Sequence, residues 1–126
     1  MKTTLELPDS RIDDMDIVDG IARIHFSHAY IRKTKGTRGS GTGWSQEAML
    51  ILEDAEPVSE FPPLPNTIED GYLEVGGIRH ELIPLPFRRK VGATLHLTFT
   101  DGSRLELIGM RPALELLGTP LYVDSF

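Results

Sequence analysis

Residues 93–100 alternate without a break, with Ala93, Leu95, Leu97 and Phe99 apolar and Thr94, His96, Thr98 and Thr100 polar. A period of two marks a strand with one face in a core and the other in water. Asp101 and Gly102 then supply turn residues, and Leu105 and Leu107 resume the apolar positions beyond them. A two-residue loop would set Phe99 opposite Arg104 and Leu97 opposite Glu106, which puts charges on the apolar face. A three-residue loop, Thr100-Asp101-Gly102, with Gly102 in the left-handed bulge position, sets Leu97 opposite Leu105 instead. That register is the one predicted here.

A second hairpin is read at Tyr72–Val75 and Ile78–Ile83, joined by Gly76-Gly77. A two-residue glycine loop pairs Val75 with Ile78 and Leu73 with His80, and it sets Glu74 opposite Arg79 as a favourable cross-strand pair. Segment 20–32 alternates Ala22, Ile24, Phe26, His28 and Tyr30 against Arg23, His25 and Ser27, a further strand. Residues 45–53 hold the apolar run Ala48–Leu52. Its brevity favours a strand buried on both faces over a short helix. Short strands are expected at 3–7 and 15–18, separated by Pro8-Asp9-Ser10-Arg11. A last hairpin is expected between 113–117 and 120–124 through Gly118-Thr119-Pro120.

Together these segments predict one all-β domain spanning 1–126, an antiparallel β-sandwich or flattened β-barrel of about nine or ten short strands with little or no helix. Its 126 residues suit one core rather than two. There is no cysteine, which removes disulfides and thiolate chemistry from consideration and fits a reducing compartment; a cytoplasmic location is the expectation. The first residues lack the apolar stretch of a signal peptide, and no segment approaches the ~20 apolar residues that span a bilayer, so no membrane role is expected. A formal net charge of -6 makes nucleic acid an unlikely partner unless positive charge gathers on one face.

One stretch gathers positive charge in this way. Arg32 to Trp44 holds Arg32, Lys33, Lys35 and Arg38 among glycines, and glycine-rich backbone flanked by cations can hold an anion. The stretch is not a P-loop, because Gly43 leads into Trp44 and a strand rather than Lys-Ser/Thr and a helix. A solvated strand connection is the plainer explanation of it. Trp44, the single tryptophan, can stack on a ligand or anchor the core.

Of the four histidines, His25 and His28 lie three apart, which on a regular strand means opposite faces, and His96 faces outward. His28 and His80 fall on the apolar sides of their strands, where a hydrogen-bonded core histidine or a shared metal pocket would both fit. The acidic clusters Asp13–Asp19 and Glu53–Asp70 lack calcium-loop spacing and read as solvated loops, and Phe61-Pro-Pro-Leu-Pro65 reads as a stiff connection.

No nucleophile elbow, metal motif or cofactor fingerprint is present, so no cofactor is expected. The expected function is a non-catalytic binding or protein-interaction module. Lys33, Lys35, Arg38 and Trp44 would contact an unidentified protein or an anionic small molecule, with His28 and Tyr30 lining an adjoining pocket. Two alternatives come from other classes. One is an acidic homo-oligomer or toxin-neutralising partner, such as a homodimer using Ile108 and Met110. The other is a metalloenzyme with a pocket around His28 and His80.

Overall fold

A computed structural model describes residues 1–35 and 40–126 of the chain. Its nine described strands are β1 (Lys2–Val18), β2 (Ile21–Thr34), β3 (Gly41–Pro57), β4 (Asn66–Val75), β5 (Ile78–His80), β6 (Leu82–Pro84), β7 (Phe87–Arg88), β8 (Gly92–Phe99) and β9 (Arg104–Ser125). They form one antiparallel sheet in which eight follow the order β5-β4-β8-β9-β3-β2-β1-β6 and β7 pairs with β9. A pairing of β1 with β4 at Arg11–Thr67 and Ile12–Asn66 bends it back on itself like a ring. Among the described residues no helix is long and apolar enough to cross a membrane.

Both local hairpins form in the expected register. Leu97 faces Leu105 across β8 and β9, Gly102 has φ +86°, and its N–H donates to the Phe99 carbonyl at 2.9 Å. In β4–β5, Val75 meets Ile78, Leu73 meets His80, and Arg79 reaches Glu74 at 3.3 Å across Gly76-Gly77. Both glycines have positive φ, as a primed two-residue turn requires.

Several expected boundaries are wrong, and the reason is the same each time. Segments 3–7 and 15–18 belong to one strand, β1, which bulges around Pro8–Ser10. Asp9 takes φ +73° at this bulge, and the buried Ser10 hydroxyl fills it, donating to the Glu6 carbonyl at 2.6 Å and accepting from the Tyr30 N–H at 2.9 Å. Asp13, Asp14 and Asp16 consequently sit on a strand, not in a loop. The hairpin expected at Gly118-Thr119-Pro120 does not exist. Residues 113–125 continue β9 alongside β3, and Gly118, with φ +66°, lets the extra residues bulge between the Ser45–Leu121 and Glu47–Leu117 pairs. The strands are therefore long rather than short, 17, 14, 17 and 22 residues for β1, β2, β3 and β9. Bulges hold them in curvature that turns would otherwise provide.

The core lies inside the curl. Leu5, Leu7, Ile12, Ile24, Phe26, Ile31, Leu50, Leu52, Ile68, Leu73, Leu95, Leu107 and Phe99 are all fully buried there. The run Ala48–Leu52 is a strand as expected, but only Ala48, Leu50 and Leu52 are fully buried while Met49 and Ile51 are half-buried, so it follows ordinary alternation. Where β3 and β9 turn a corner, two non-glycine residues face each other in left-handed conformation, Asp54 (φ +47°) and Arg111 (φ +51°). Arg111 pins that corner, its guanidinium donating to Glu53 at 2.9 Å and to Asp54 at 3.0 Å. Ile108 and Met110 lie exposed on β9.

Candidate functional site

The ends of β2, β3 and β9 lie side by side, and three of the six expected binding residues, Lys33, Lys35 and Trp44, share one hollow there. Alternation puts Ile31, Lys33 and Trp44 on the concave face, because Ile31 is buried and pairs with Trp44. Trp44 packs against the edge of the core, its indole N–H donates to the Thr42 hydroxyl at 2.8 Å, and Tyr122 meets it edge-on with ring centroids 5.6 Å apart. The Lys33 ammonium lies 4.6 Å from the indole centroid, within cation–π range. Lys33, Lys35, Thr42 and Trp44 wall an open hollow of about 540 Å³, completed by Ser40, Gly41, Ser125, Phe126 and Met1. Its described lining contains two lysines and no aspartate or glutamate. Arg38, also expected in this group, lies outside the described residues.

The Gly41 position shows why glycine stands at the rim. Gly41 and Phe126 exchange backbone hydrogen bonds of 2.9 and 3.0 Å, and the Phe126 ring lies where a Cβ on Gly41 would sit, 2.8 Å from that point. The Arg32 guanidinium lies over the Phe126 ring, 4.4 Å from its centroid. Gly41 thus admits the Phe126 ring, and Gly43 admits the Tyr30 hydroxyl from β2 and the Asp124 carboxylate from β9.

Tyr30 and His28 do not join this hollow. A one-residue bulge at Ser27–His28, between the Phe26–Ala48 and Ala29–Gln46 pairs, reverses the alternation, so Ala29 and Ile31 turn inward while His28 and Tyr30 turn outward. The Tyr30 hydroxyl donates to Asp124 at 2.7 Å, and burial together with that carboxylate pushes the phenol up to about 12. His28 is exposed, with Nδ1 at 3.2 Å from the Ser45 hydroxyl, in a shallow dip of about 190 Å³ beside Glu47 and Gly118. No third group orients the His28 ring among the described residues, so the Ser45–His28 pair is not a catalytic triad. His80 packs instead against Phe87, ring centroids 5.8 Å apart, and none of the described hollows is lined by both His28 and His80. The described residues contain no group of three or more histidine, aspartate or glutamate side chains placed to hold a metal.

The same bulge creates an arrangement that spacing alone does not disclose. His25 and His28 share the outer face, and His25 is clamped on both ring nitrogens, Nδ1 to Asp13 and Nε2 to Glu47, each at 2.5 Å. Burial opposes its protonation, but the hydrogen bonds and charges of Asp13 and Glu47 outweigh it and raise the imidazole above its ordinary value. His96, expected to be unremarkable, stacks on Tyr72 with centroids 4.7 Å apart and lies 3.7 Å from Glu106. Both line a polar cleft of about 270 Å³ with Asp70 and Arg104.

Comparison with protein-family models, curated proteins and solved structures finds no match to the chain.

Proposed function

We propose that the protein is a non-catalytic binding module that takes a negatively charged partner in the hollow formed by Lys33, Lys35 and Trp44. The observation that carries this reading is the local reversal of charge. In a chain of net charge -6, one open hollow has two lysines and the single indole on its wall and no acidic side chain in its described lining. Lysine ammonium groups attract an anion, while the indole offers a flat apolar surface to whatever carries it. Trp44 is half-buried, so part of the indole remains open to solvent beside Lys33. The dispersed histidines and the unsupported Ser45–His28 pair offer no comparable grouping for catalysis.

Trp44 is also the reporter, because its fluorescence is the protein's only tryptophan signal. Titration with inorganic polyphosphate and with a glutamate decapeptide should give a saturable change in emission that weakens as salt rises. Lys33→Ala with Lys35→Ala should lower the affinity for both at least tenfold while leaving the thermal midpoint in place. An unresponsive Trp44, or equal affinity in the double variant, refutes the reading.

A further inference from the structure

Strand β9 has two edges with different fates. One is bonded to β3 from Leu107 to Ser125. The other is bonded to β8 over Arg104–Met110 and to β7 at Ala113 and Leu114, and beyond Leu114 no described strand pairs with it. Exposed Leu116, Leu121, Tyr122 and Val123 follow along that free stretch, the last three at least half exposed. Natural sheets usually blunt a free edge with charges, bulges or proline. Here the Gly118 bulge and Pro120 interrupt the middle of the stretch, but the segment from Leu121 to Val123 carries neither proline nor charge.

Each end of this free stretch opens onto a different chemistry. At its start, Leu114 and Leu116 wall a largely apolar hollow of about 450 Å³ with Leu85, Pro86, Thr3 and Glu115. At its finish, Ser125 walls the cationic hollow of Lys33, Lys35 and Trp44. Bulges shorten this run, because 115 to 125 lies along only the stretch from Met49 to Thr42 of β3, roughly 24 Å at about 3.4 Å per residue, so a ten-residue extended peptide covers it and carries one end past Ser125.

We infer that the free edge of β9 accepts an extended segment of a partner protein as an added strand, with a carboxylate-bearing end that leaves the edge at Ser125 and crosses the concave face to Lys33 and Lys35, and with apolar residues at its other end seated beside Leu114 and Leu116. This rests on the binding reading above and names the partner's class: an extended peptide, acidic at one end and apolar at the other. Main-chain hydrogen bonds to β9 supply affinity, and the two end hollows supply direction.

The probe is a fluorescein-labelled decapeptide with three glutamates at one end, three leucines at the other and alternating threonine and valine between, made in both sequence orders and followed by anisotropy. One order should bind at least tenfold more tightly than the other. N-methylation of alternate peptide nitrogens along the edge that would face β9 should weaken it at least tenfold, since it removes the strand donors and leaves charge unchanged. Leu121→Ser with Val123→Ser should weaken it severalfold with an unchanged thermal midpoint. If the glutamate decapeptide binds at Trp44 but N-methylation changes nothing, the anion-binding reading stands and strand addition is overturned. If sedimentation shows a dimer that Leu121→Ser with Val123→Ser dissolves, the occupant is a second copy and the peptide proposal is overturned. If no probe binds and Trp44 stays silent, both readings fall.

Discussion

Replacing His25 by asparagine tests the three-strand clamp on the outer face, and pH supplies the second axis. Asp13 on β1, His25 on β2 and Glu47 on β3 form two 2.5 Å contacts that staple three neighbouring strands. The imidazole is 22% exposed, and the carboxylates are 39% and 45% exposed, so solvent screens both pairs. Partly exposed pairs contribute about 0.2–1 kcal/mol each, which places the charged clamp at roughly 0.5–2 kcal/mol at low salt. The sign follows from the direction of the shift. His25 is raised when folded, so the native state holds the proton more tightly than the unfolded chain. The stabilisation is fully present below the unfolded value of about 6.5 and is lost as pH rises through the higher folded value. Urea unfolding of the wild type and His25→Asn at pH 5.5 and pH 8.5 measures this as a difference of differences. The wild type should exceed the variant by more at pH 5.5, by roughly 0.5–2 kcal/mol, and sodium chloride at about 0.5 M should shrink that excess. A gap that is equal at the two pH values, or wider at pH 8.5, would refute the clamp as a charged element.

Leu97→Ala removes a side chain only 2% exposed and should cost about 2–5 kcal/mol in urea unfolding; a loss below about 1 kcal/mol would contradict its place in the core. Gly43→Ala drives a methyl into the Tyr30 hydroxyl and the Asp124 carboxylate, and should cost about 1–3 kcal/mol together with loss of the Tyr30–Asp124 hydrogen bond, read by tyrosine ring chemical shifts. Gly102→Ala strains a residue at φ +86° in open space, so the loss should be about 1 kcal/mol, conformational in origin, and insensitive to salt.

Features set by neighbours in sequence are legible without coordinates. The registers of β8–β9 and β4–β5 follow from the requirement that leucines share a face and from the glycines that close each turn. Asp19 and Gly20, both with positive φ, close β1–β2 by the same chemistry, so that turn too carries its signal in plain sight. Bulges are a different matter. Asp9, Asp54 and Arg111 adopt left-handed conformations without being glycine, and Pro8-Asp9 signals a break but reads as a turn. One unmarked bulge at Ser27–His28 moves His28 and Tyr30 to the outer face and brings His28 round to the side of His25. Lys33 and Trp44 lie together because both stay on regular strand beyond that bulge, diagonal to each other across β2 and β3. The clamp on His25 joins residues 12 and 22 positions away, and the free edge of β9 exists only because the expected hairpin at Gly118 gives way to a longer pairing with β3; neither is visible until the sheet order is known.

The length of β9 constrains how this protein can change over time. Leu105 and Leu107 are held in the interior, and Tyr122, on the same ribbon, meets the outside world beside Trp44. Side chains swap sides with every regular step along a strand, so losing or gaining one amino acid between Leu107 and Leu117 without a compensating bulge would invert everything downstream, turning Tyr122 away from the indole. Substitutions in that stretch alter one contact at a time, whereas a change in its residue count rewrites the whole distal surface at once.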